Sequence, residues 1–351
     1  MLGIWYTVMT QAVDLSKHKI KLIAGRSNPE LSVLISNQLG ISLTNITIKD
    51  FANTEIGVEI KENVRGCNVF IIQTGGANNG RSVNDHLIEL FAIVNACKLS
   101  SAKSICVLAP CYPYARSDKK DQRCAILAAC LTRILNGLGV TRIVSMDLHA
   151  SQIQGFSTES FDNLYAINLH IDNLRKNYFS GLSTEDIKRG FVLISPDLGG
   201  ARRIEAYAER LSMHHVVLHK HRDYNKVNVV LNSTLIGNPE AIKDKTAIII
   251  DDIFDSFGTI ISAAEELVKY GVHKIIALGT HGVFSQQAIE KLNKSELIER
   301  VIVTNTLPQQ RNQEGSDKIT VIDISPLLAT VIVRLMDGGS VSELFTQEST
   351  S

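Results

Sequence analysis

A group of acidic and hydroxyl side chains follows a strongly apolar stretch in the second half of the chain. Ile248–Ile250 leads directly into Asp251 and Asp252. Ionised carboxylates are costly to bury, so we expect them to face a cleft at the carboxyl end of a strand. The turn after them supplies hydroxyls, a glycine and the start of a predicted helix, a combination that can cradle a phosphate. The residues of this turn are Asp255, Ser256, Phe257, Gly258 and Thr259.

The adjacent carboxylates of Asp251 and Asp252 could also accept hydrogen bonds from a pair of sugar hydroxyls. The alternative is an ordinary helix N-cap with solvated acids. A single aspartate would favour that alternative. Three acids combined with this turn chemistry favour a functional site.

Two further segments have residue types that suit a divalent metal. Asp147 and His149 lie two positions apart beyond the apolar run Arg142–Met146, and an extended backbone would place both on one face. A carboxylate with an imidazole can bind such an ion, although a core histidine paired with Asp147 is the alternative. Asp197 follows another apolar run and could hold a second metal. Its Pro-Asp-Leu-Gly-Gly segment fits an ordinary strand–loop–helix turn equally well.

Basic residues are concentrated in two places. Lys220 and Arg222 are two positions apart after Val216–Leu218, where two cations on one face would suit a transferring phosphoryl group. From the residues alone, a solvated charged edge is the favoured interpretation. Arg116 begins a mixed-charge loop with Lys119 and Lys120 that would by itself indicate only a solvated loop.

The elements that must position these residues alternate between strands and helices. Short β-branched apolar runs predict strands buried on both faces, and amphipathic stretches at 84–99 and 259–270 predict helices. This alternation indicates an α/β fold with two similar parallel-sheet domains side by side. We divide the chain into an N-terminal extension (1–17), a first domain (18–165) and a second domain with a tail (166–351). The strand runs are Ile20–Ala24, Val69–Gln73, Ile105–Ala109, Arg142–Met146, Phe191–Ile194, Val216–Leu218, Ala247–Ile250, Lys274–Leu278 and Val301–Thr304.

The charge balance limits the classes of partner. Among 351 residues, 36 Lys+Arg balance 36 Asp+Glu, so the formal net charge is +0. A neutral chain has no general attraction for nucleic acid or anionic membranes, so we expect neither as a partner. The six cysteines form no CxxC pair, which predicts reduced thiols in a cytoplasmic protein. We expect no secretory signal, since the apolar start lacks a preceding basic segment.

Several of these motifs together resemble a known family. Asp251–Thr259 resembles the phosphoribosyl-diphosphate-binding motif of the type I phosphoribosyltransferase fold, and Ser145–Phe156 is closely similar to a signature of ribose-phosphate diphosphokinases. These enzymes are also called phosphoribosyl diphosphate synthetases. The resemblance covers roughly residues 19–345, nearly the whole chain. More of that family's pattern follows in the expected order at Phe51–Glu55, Pro113–Asp121, Ser195–Gly200, His219–Arg222, Val303–Thr306 and Val321–Ser325.

The resemblance implies a role for each candidate residue. Lys220 and Arg222 would be catalytic, and Asp251, Asp252 and the turn Asp255–Thr259 would bind ribose 5-phosphate. Asp147, His149 and Asp197 would place Mg²⁺, the implied cofactor, with His149 reaching the metal–ATP complex partly through water. The residues implied to bind ATP are Phe51, Asn53, Thr54, Glu55, Arg116 and Ser117.

The implied reaction transfers the diphosphoryl group of ATP to the C1 hydroxyl of ribose 5-phosphate. The products would be 5-phosphoribosyl 1-diphosphate, used in nucleotide biosynthesis, and AMP. By the same resemblance we expect either a homo-oligomer in the form of a dimer-based ring or a hetero-oligomer with related subunits.

Two alternatives come from different classes of protein. The first is a non-catalytic regulatory subunit associated with such a synthetase. Proteins of that kind depart from the family in the acidic phosphate loop and the Lys-x-Arg segment, both of which are intact here. The second is a phosphoribosyltransferase, which would need neither the ATP-side motifs nor Ser145–Phe156.

The chain departs from the family pattern mainly on the ATP side. Ser117 stands where the family usually has Gln. Arg123-Cys124-Ala125-Ile126 stands where it usually has Ser-Arg-Ala-Pro, so the arginine is displaced by one position and the proline is absent. These changes concern the loop that the family closes over ATP.

Overall fold

The structure, a computed structural model, describes residue 15 and residues 18–120, 122–222 and 230–345, with the backbone alone at 220–222 and 230–234. Apart from Leu15, the predicted N-terminal extension lies outside the described residues. The described chain forms two compact units. The first contains the described residues up to Tyr165 together with Thr306–Pro308 and the described residues from Asp323 onward. The second contains Ala166–Asn305 and Gln309–Ile322.

The first unit is built on a five-stranded parallel sheet. Its strands lie in the order β1-β4-β5-β6-β7, and all four pairings are parallel. The central strands have β-branched and other apolar side chains buried on both faces, as the continuous apolar runs predicted. The bounds are β1 Ile20–Ala24, β4 Asn68–Ile72, β5 Ser104–Leu108, β6 Arg142–Met146 and β7 Ser160–Leu164.

A two-stranded antiparallel hairpin, β2 (Ile46–Asp50) and β3 (Ile56–Ile60), stands apart from this sheet. Asp50 pairs with Ile56 at the closed end of the hairpin. The loop between them is therefore Phe51–Glu55, the segment implied to contact ATP. β3 packs against the second helix of the unit, α2.

The helices of the first unit have clear start and stop signals. Asn28 caps α1, since its side chain accepts a hydrogen bond from Leu31 N, and Gly40 ends that helix with φ 65°. Ser82 and Asp85 form a reciprocal capping box at α2. The bounds are α1 Pro29–Leu39, α2 Val83–Leu99 and α3 Leu127–Gly137.

The second unit is built on a seven-stranded sheet in the order β10-β9-β8-β11-β12-β13-β14. All pairings are parallel except β9 with β10, which is antiparallel at one edge. The bounds are β8 Phe191–Ser195, β9 His215–Arg222, β10 Val230–Ile236, β11 Thr246–Phe254, β12 Lys274–Gly282, β13 Ile298–Thr304 and β14 Ile319–Ile322.

Both faces of this second sheet are covered by apolar cores. Along β11, Ala247 and Ile249 belong to one core, whereas Ile248 and Ile250 belong to the other. Because alternate residues of a strand face opposite sides, helices must cover both faces, as they do in the βαβ arrangement. The bounds of the helices are α4 Ile167–Asn177, α5 Thr184–Gly190, α6 Ala201–Leu211, α7 Gly258–Val268, α8 Ala288–Lys294 and α9 Gln310–Gly315.

The last helix, α10 (Ser325–Asp337), belongs to the first unit. The sequence analysis placed residues 166–351 in one domain, but α10 packs against α1 instead. The reason is physical: Leu327, Leu328 and Val331 are buried on α10, and α1 offers the buried Leu31 and Ile35. Nothing in the local sequence of an amphipathic helix indicates which sheet it will cover.

The predicted α/β class with two similar parallel-sheet domains is confirmed. All nine apolar runs lie within or overlap strands, and the two amphipathic stretches are α2 and α7. The β2–β3 hairpin and the edge strands β7, β10 and β14 were not among those runs. None of the helices in the described part of the chain has the length and apolar character that crossing a bilayer requires.

The capping box at α2 gives a stability prediction. Ser82→Ala removes the hydroxyl that accepts from Asp85 N, so the folded chain should lose about 1 kcal/mol of unfolding free energy. Ser100→Ala, at the exposed far end of the same helix, is the control and should cost little. Urea unfolding of both variants measures the difference. Equal losses would show that the box does not stabilise the helix.

Candidate functional site

The acidic pair lies inside a strand rather than beyond it. β11 extends through Asp251 and Asp252 to Phe254, because β12 continues alongside and pairs Asp251 with Gly279. The side chain of Asp251 is 17% exposed and that of Asp252 is 6% exposed. Two carboxylates are thus held side by side with little solvent around them.

Arg203, in the first turn of α6, is the cation that meets this pair. Its Nη1 lies 3.3 Å from Asp251 Oδ1 and 3.2 Å from Asp252 Oδ1. The Asp252 backbone N also donates to Asp251 Oδ1 at 2.9 Å. One guanidinium therefore bridges two largely buried carboxylates, an arrangement that requires close pairing because buried charge is otherwise costly.

The pKa of Asp251 is raised well above its ordinary value. The largest cause is the removal of its carboxylate from water, followed by the neighbouring charge of Asp252. Asp197 adds to this effect, whereas Arg203 opposes it. The site thus has an excess of negative charge that one arginine does not offset, which suits hydroxyl donors or a further cation.

The predicted phosphate cradle forms a tight turn at the start of α7. Phe257 has φ 62° in the left-handed region and is buried, with its ring against Phe254 and Phe284. These aromatic contacts hold Phe257 in a conformation that a bulky residue rarely adopts. Gly258 then begins the helix, and an α-helix N-terminus favours an anion.

The segment after the neighbouring strand, β12, supports this turn. The Ser285 hydroxyl donates a hydrogen bond to Asp255 Oδ1, and Lys291 Nζ donates one to the Ser256 carbonyl at 3.0 Å. Backbone N–H groups of Val283 and Phe284 both donate to the Phe254 carbonyl. The orientation of Asp255 and the path of the turn are therefore fixed from outside the turn.

Asp197 is held within its own loop at the end of β8. Its Oδ1 accepts from Gly200 N at 3.2 Å, and its carbonyl accepts from Ser195 Oγ at 2.7 Å. A Cβ at Gly200 would lie 2.4 Å from Ser195 Oγ, so any other residue there would displace that hydroxyl from the Asp197 carbonyl. Asp197 also lies close enough to raise the pKa of Asp251.

Lys220 and Arg222 both lie in β9, which extends beyond the predicted run at Val216–Leu218. Their backbones pair with Ser233 and Val230 of β10. The structure describes only the backbone of these two residues, so their catalytic role stays a prediction.

Asp147 begins a turn immediately after β6. Its φ is 39°, and its N–H donates to the Leu164 carbonyl at 2.8 Å. The expected extended backbone at Asp147 is therefore wrong, because the strand ends at Met146, and the placement of Asp147 and His149 on one face stays a prediction. A carboxylate and an imidazole are still present in this turn.

The donor set fits Mg²⁺ that arrives on a nucleotide. Within the described ranges, no three His, Cys, Asp or Glu side chains are grouped closely enough to hold a metal by themselves. Mg²⁺ takes oxygen ligands and usually keeps several waters and phosphates with one or two protein carboxylates. Asp147 in the first unit and Asp197 in the second each supply one such carboxylate, so each would hold an ion only together with substrate phosphates.

The loop at Phe51–Glu55 is a compact turn at the tip of its hairpin. Phe51 N donates to the Glu55 carbonyl at 2.9 Å, and Thr54 N donates to the Phe51 carbonyl at 2.9 Å. Asn53 Oδ1 accepts from Glu55 N at 3.2 Å, and Thr54 has φ 71°. The Phe51 ring is 53% exposed and is thus available to a flat ligand such as a nucleotide base.

Ser117 makes contacts that the sequence did not indicate. Its Oγ donates to the Ala125 carbonyl and accepts from Leu127 N, both at 3.1 Å. The hydroxyl thus ties the two ends of the ATP-side loop together and caps the first turn of α3. Arg116 beside it is exposed.

In the second unit the structure brings Asp251 and Asp252 together, with Asp197 near enough to act on the pKa of Asp251. The turn Asp255–Thr259 follows the pair along β11 and α7. The sequence analysis missed Arg203, Ser285 and Lys291. Arg203 could have been found as a basic residue one turn after the Pro-Asp-Leu-Gly-Gly segment. Ser285 could have been found from the rule that polar residues after a buried strand face the ligand.

Comparisons with known proteins agree with this geometry. Residues 20–139 match the N-terminal domain of ribose phosphate pyrophosphokinase, and residues 233–346 match the phosphoribosyl synthetase-associated domain. Ribose-phosphate pyrophosphokinase 2 of Schizosaccharomyces pombe is 41% identical over 333 residues, 95% of this chain and 99% of that protein. The crystal structure of phosphoribosylpyrophosphate synthetase from Mycobacterium smegmatis is similar with a TM-score of 0.81 and 36% identity, covering 92% of this chain and 100% of that one.

The chain has two parallel-sheet units, and in the second one the acidic pair near the end of β11 is followed by a turn that suits a phosphate. These features define an α/β protein of the type I phosphoribosyltransferase kind, as predicted. The chain belongs to the ribose-phosphate pyrophosphokinase family. Ribose-phosphate pyrophosphokinases and ribose-phosphate diphosphokinases are the same enzymes under two names. The predicted enzyme class, a transferase of diphosphate groups, is thereby confirmed.

Asp252→Asn tests the charge balance at the acidic pair. It removes the negative neighbour of Asp251, so the pKa of Asp251 should fall toward its ordinary value of 3.8. A raised pKa means that the folded chain gains stability at low pH and loses it as pH rises through that pKa. The variant should therefore lose less stability than the natural chain as pH rises above about 4.

Carboxyl ¹³C NMR titration measures the pKa of Asp251, and urea unfolding at several pH values measures the stability. Asp244→Asn, at an exposed position of the same unit, is the matched control. An unchanged pKa for Asp251 in Asp252→Asn would contradict the coupling.

Proposed function

We propose that this chain is a ribose-phosphate diphosphokinase acting on Mg–ATP and ribose 5-phosphate. The anomeric hydroxyl attacks the β-phosphorus of ATP and loses its proton. The bond from that phosphorus to the α,β-bridging oxygen breaks, and AMP leaves with that oxygen. The products are 5-phosphoribosyl 1-diphosphate and AMP. Two charged substrates are involved, so catalysis depends mainly on positioning and on charge stabilisation.

The observation that carries this proposal is the pair Asp251 and Asp252 followed by the turn Asp255–Thr259 at the start of α7. The pair is largely buried and only partly neutralised by Arg203, so it favours ligands that donate hydrogen bonds, as ribose hydroxyls do. The turn beside it suits the 5-phosphate. A sugar phosphate that spans both features is the ligand that fits this chemistry.

The remaining roles follow from position and from the family. We assign ATP to the loops at Phe51–Glu55 and Arg116–Ser117. We assign Mg²⁺, bound to substrate phosphates, to Asp147, His149 and Asp197. Lys220 and Arg222 stabilise the charge that develops on the transferring group. Ser117 contributes by closing the base of its loop, whatever further contact it makes with the nucleotide.

The setting of the reaction stays a proposal as well. We propose a cytoplasmic enzyme that assembles as a dimer-based homo-oligomer or with related subunits. All six cysteines are free thiols, and four of them are buried, as a reduced compartment allows. Burial raises the pKa of the Cys97 thiol to about 12, so this cysteine is an unreactive part of the core.

Isotope labelling tests the bond that breaks. With ¹⁸O in the α,β-bridging position of ATP, the purified chain, Mg²⁺ and ribose 5-phosphate should yield AMP that keeps the label. Mass spectrometry of AMP and of the second product measures this. Label in released pyrophosphate would mean attack at the α-phosphorus and would overturn the proposed reaction. AMP that forms only after a related subunit is added would favour the non-catalytic alternative.

Lys220→Ala tests the catalytic segment. Removing a cation that stabilises the transferring group should lower kcat by about 10²–10³-fold without unfolding the chain. Lys243→Ala, at an exposed position of the same unit, is the control and should keep full activity. Circular dichroism checks the fold of both variants. An unchanged kcat for Lys220→Ala would refute the assigned role.

A further inference from the structure

Charged side chains from separate segments of the first unit meet at the closed end of the β2–β3 hairpin. Asp50, the last residue of β2, accepts from Arg26 Nη1 at 2.9 Å and from Arg26 Nη2 at 3.1 Å. Arg81, which precedes α2, donates to the same carboxylate. We call Arg26, Asp50 and Arg81 the loop clamp, because Phe51 follows Asp50 directly.

The loop clamp is anchored in the interior by a buried carboxylate. Glu89 on α2 is fully buried and accepts from Arg26 Nε at 2.5 Å and from Arg26 N at 2.7 Å. Gln73 Nε2 donates to the same carboxylate at 3.1 Å. A buried carboxylate is stable only when it is paired and hydrogen-bonded, so Glu89 holds the arginine in place. The guanidinium fork of Arg26 is planar and rigid, and its two edges thus connect the interior to Asp50.

The hairpin needs such support at its closed end. A two-stranded hairpin has little stability of its own in water, and β2 and β3 are not part of the main sheet. The open end is held separately, because Lys21 on β1 pairs with Glu62, which also accepts from Asn45 N. The two ends therefore have independent ionic supports, and only the loop clamp adjoins Phe51–Glu55.

We infer that Arg26, Asp50 and Arg81 are positioning residues that hold the loop Phe51–Glu55 in the geometry required for nucleotide binding. The inference rests on the proposed function, which assigns ATP to that loop. Neither arginine needs to touch the nucleotide for this role. The clamp acts through the backbone, since Asp50 is one residue from Phe51 and pairs with Ile56 across the hairpin.

The ionic state of the clamp does not change near neutral pH. Hydrogen bonds from Arg26 and Arg81 hold the pKa of Asp50 down to about 2, so Asp50 stays ionised as long as the chain is folded above that pH. A depressed carboxyl pKa means that the interaction is lost only as pH falls toward that value. The effect of removing the clamp should accordingly be the same at pH 6 and pH 9.

Asp50→Asn is the decisive variant, because it removes one charge at the surface and leaves the Arg26–Glu89 pair intact. We expect the KM for ATP to rise about two- to fivefold, the size of effect that an exposed ion pair supports. The kcat and the KM for ribose 5-phosphate should not change. Hydrogen exchange at the Phe51 and Thr54 amides should become faster, since both donate within the loop.

Two further variants separate positioning from general stability. Glu62→Gln breaks the ion pair at the open end of the same hairpin and should leave the KM for ATP unchanged. Asp50→Glu keeps the charge and should restore part of the lost affinity. A rise in the KM for ATP in Glu62→Gln equal to that in Asp50→Asn would overturn the inference, as would an unchanged KM in Asp50→Asn.

Failure of the proposed function can be told apart from failure of this inference. If the natural chain forms no AMP, the proposed reaction fails. Calorimetric binding of Mg–ATP alone, together with hydrogen exchange at 51–55, then decides the role of the clamp. Equal exchange and equal Mg–ATP binding in Asp50→Asn and the natural chain would overturn it, and weaker binding with faster exchange would support it.

Discussion

The organisation of the second unit depends on keeping two adjacent carboxylates, Asp251 and Asp252, in the interior of a central strand. β11 lies between β8 and β12, but its pairing with β8 ends at Ile249, so at Asp251 only β12 continues alongside, and the pair is nevertheless largely buried. Charge in such a place requires a partner, and Arg203 supplies it from α6. The loop that contains Asp197 leads into α6 and thereby places Arg203 beside the acidic pair. The pKa of Asp251 is nevertheless raised, first because its carboxylate is removed from water and then because Asp252 lies beside it, so Arg203 does not cancel these two effects.

The first unit also pairs a buried carboxylate with an arginine. Arg26 bridges the buried Glu89 and the exposed Asp50, much as Arg203 bridges Asp251 and Asp252. In both cases one guanidinium contacts two carboxylates, Arg203 through Nη1 alone and Arg26 through Nε, Nη1 and Nη2, a fork that a lysine ammonium could not match at the hairpin. The difference lies in the balance. At the hairpin Arg26 and then Arg81 lower the pKa of Asp50, whereas at β11 burial and then the neighbouring Asp252 raise the pKa of Asp251. The carboxylate at the hairpin is therefore stabilised in its ionised form, whereas ionisation of Asp251 is disfavoured.

The sequence was most informative where physical chemistry is local. Continuous apolar runs identified the strands buried on both faces, and the acids with the turn after Ile250 identified the central site. It was least informative about where strands end. The apolar runs end at Leu218 and Ile250, yet β9 and β11 both continue because a neighbouring strand keeps pairing with their backbones. Asp147 shows the opposite case, since its positive φ ends the extended backbone that the two-residue spacing assumed. Long-range pairings such as α10 with α1 or Arg26 with Glu89 connect residues far apart in the chain, and no local pattern encodes them.

The neutral net charge can now be connected to these local arrangements. A chain with +0 formal charge has no long-range field to gather phosphorylated ligands, and at physiological ionic strength exposed charges act only within a Debye length of about 8 Å. Recognition must therefore come from contacts at short range, in places where water is partly excluded and charges of both signs are fixed. The largely buried acidic pair with Arg203 is such a place in the second unit. In the first unit the Arg26–Asp50–Arg81 clamp fixes charges of both signs beside the exposed loop Phe51–Glu55. Each arrangement is in turn held by a group behind it, because Ser285 holds Asp255 next to the acidic pair and Glu89 holds Arg26 of the clamp.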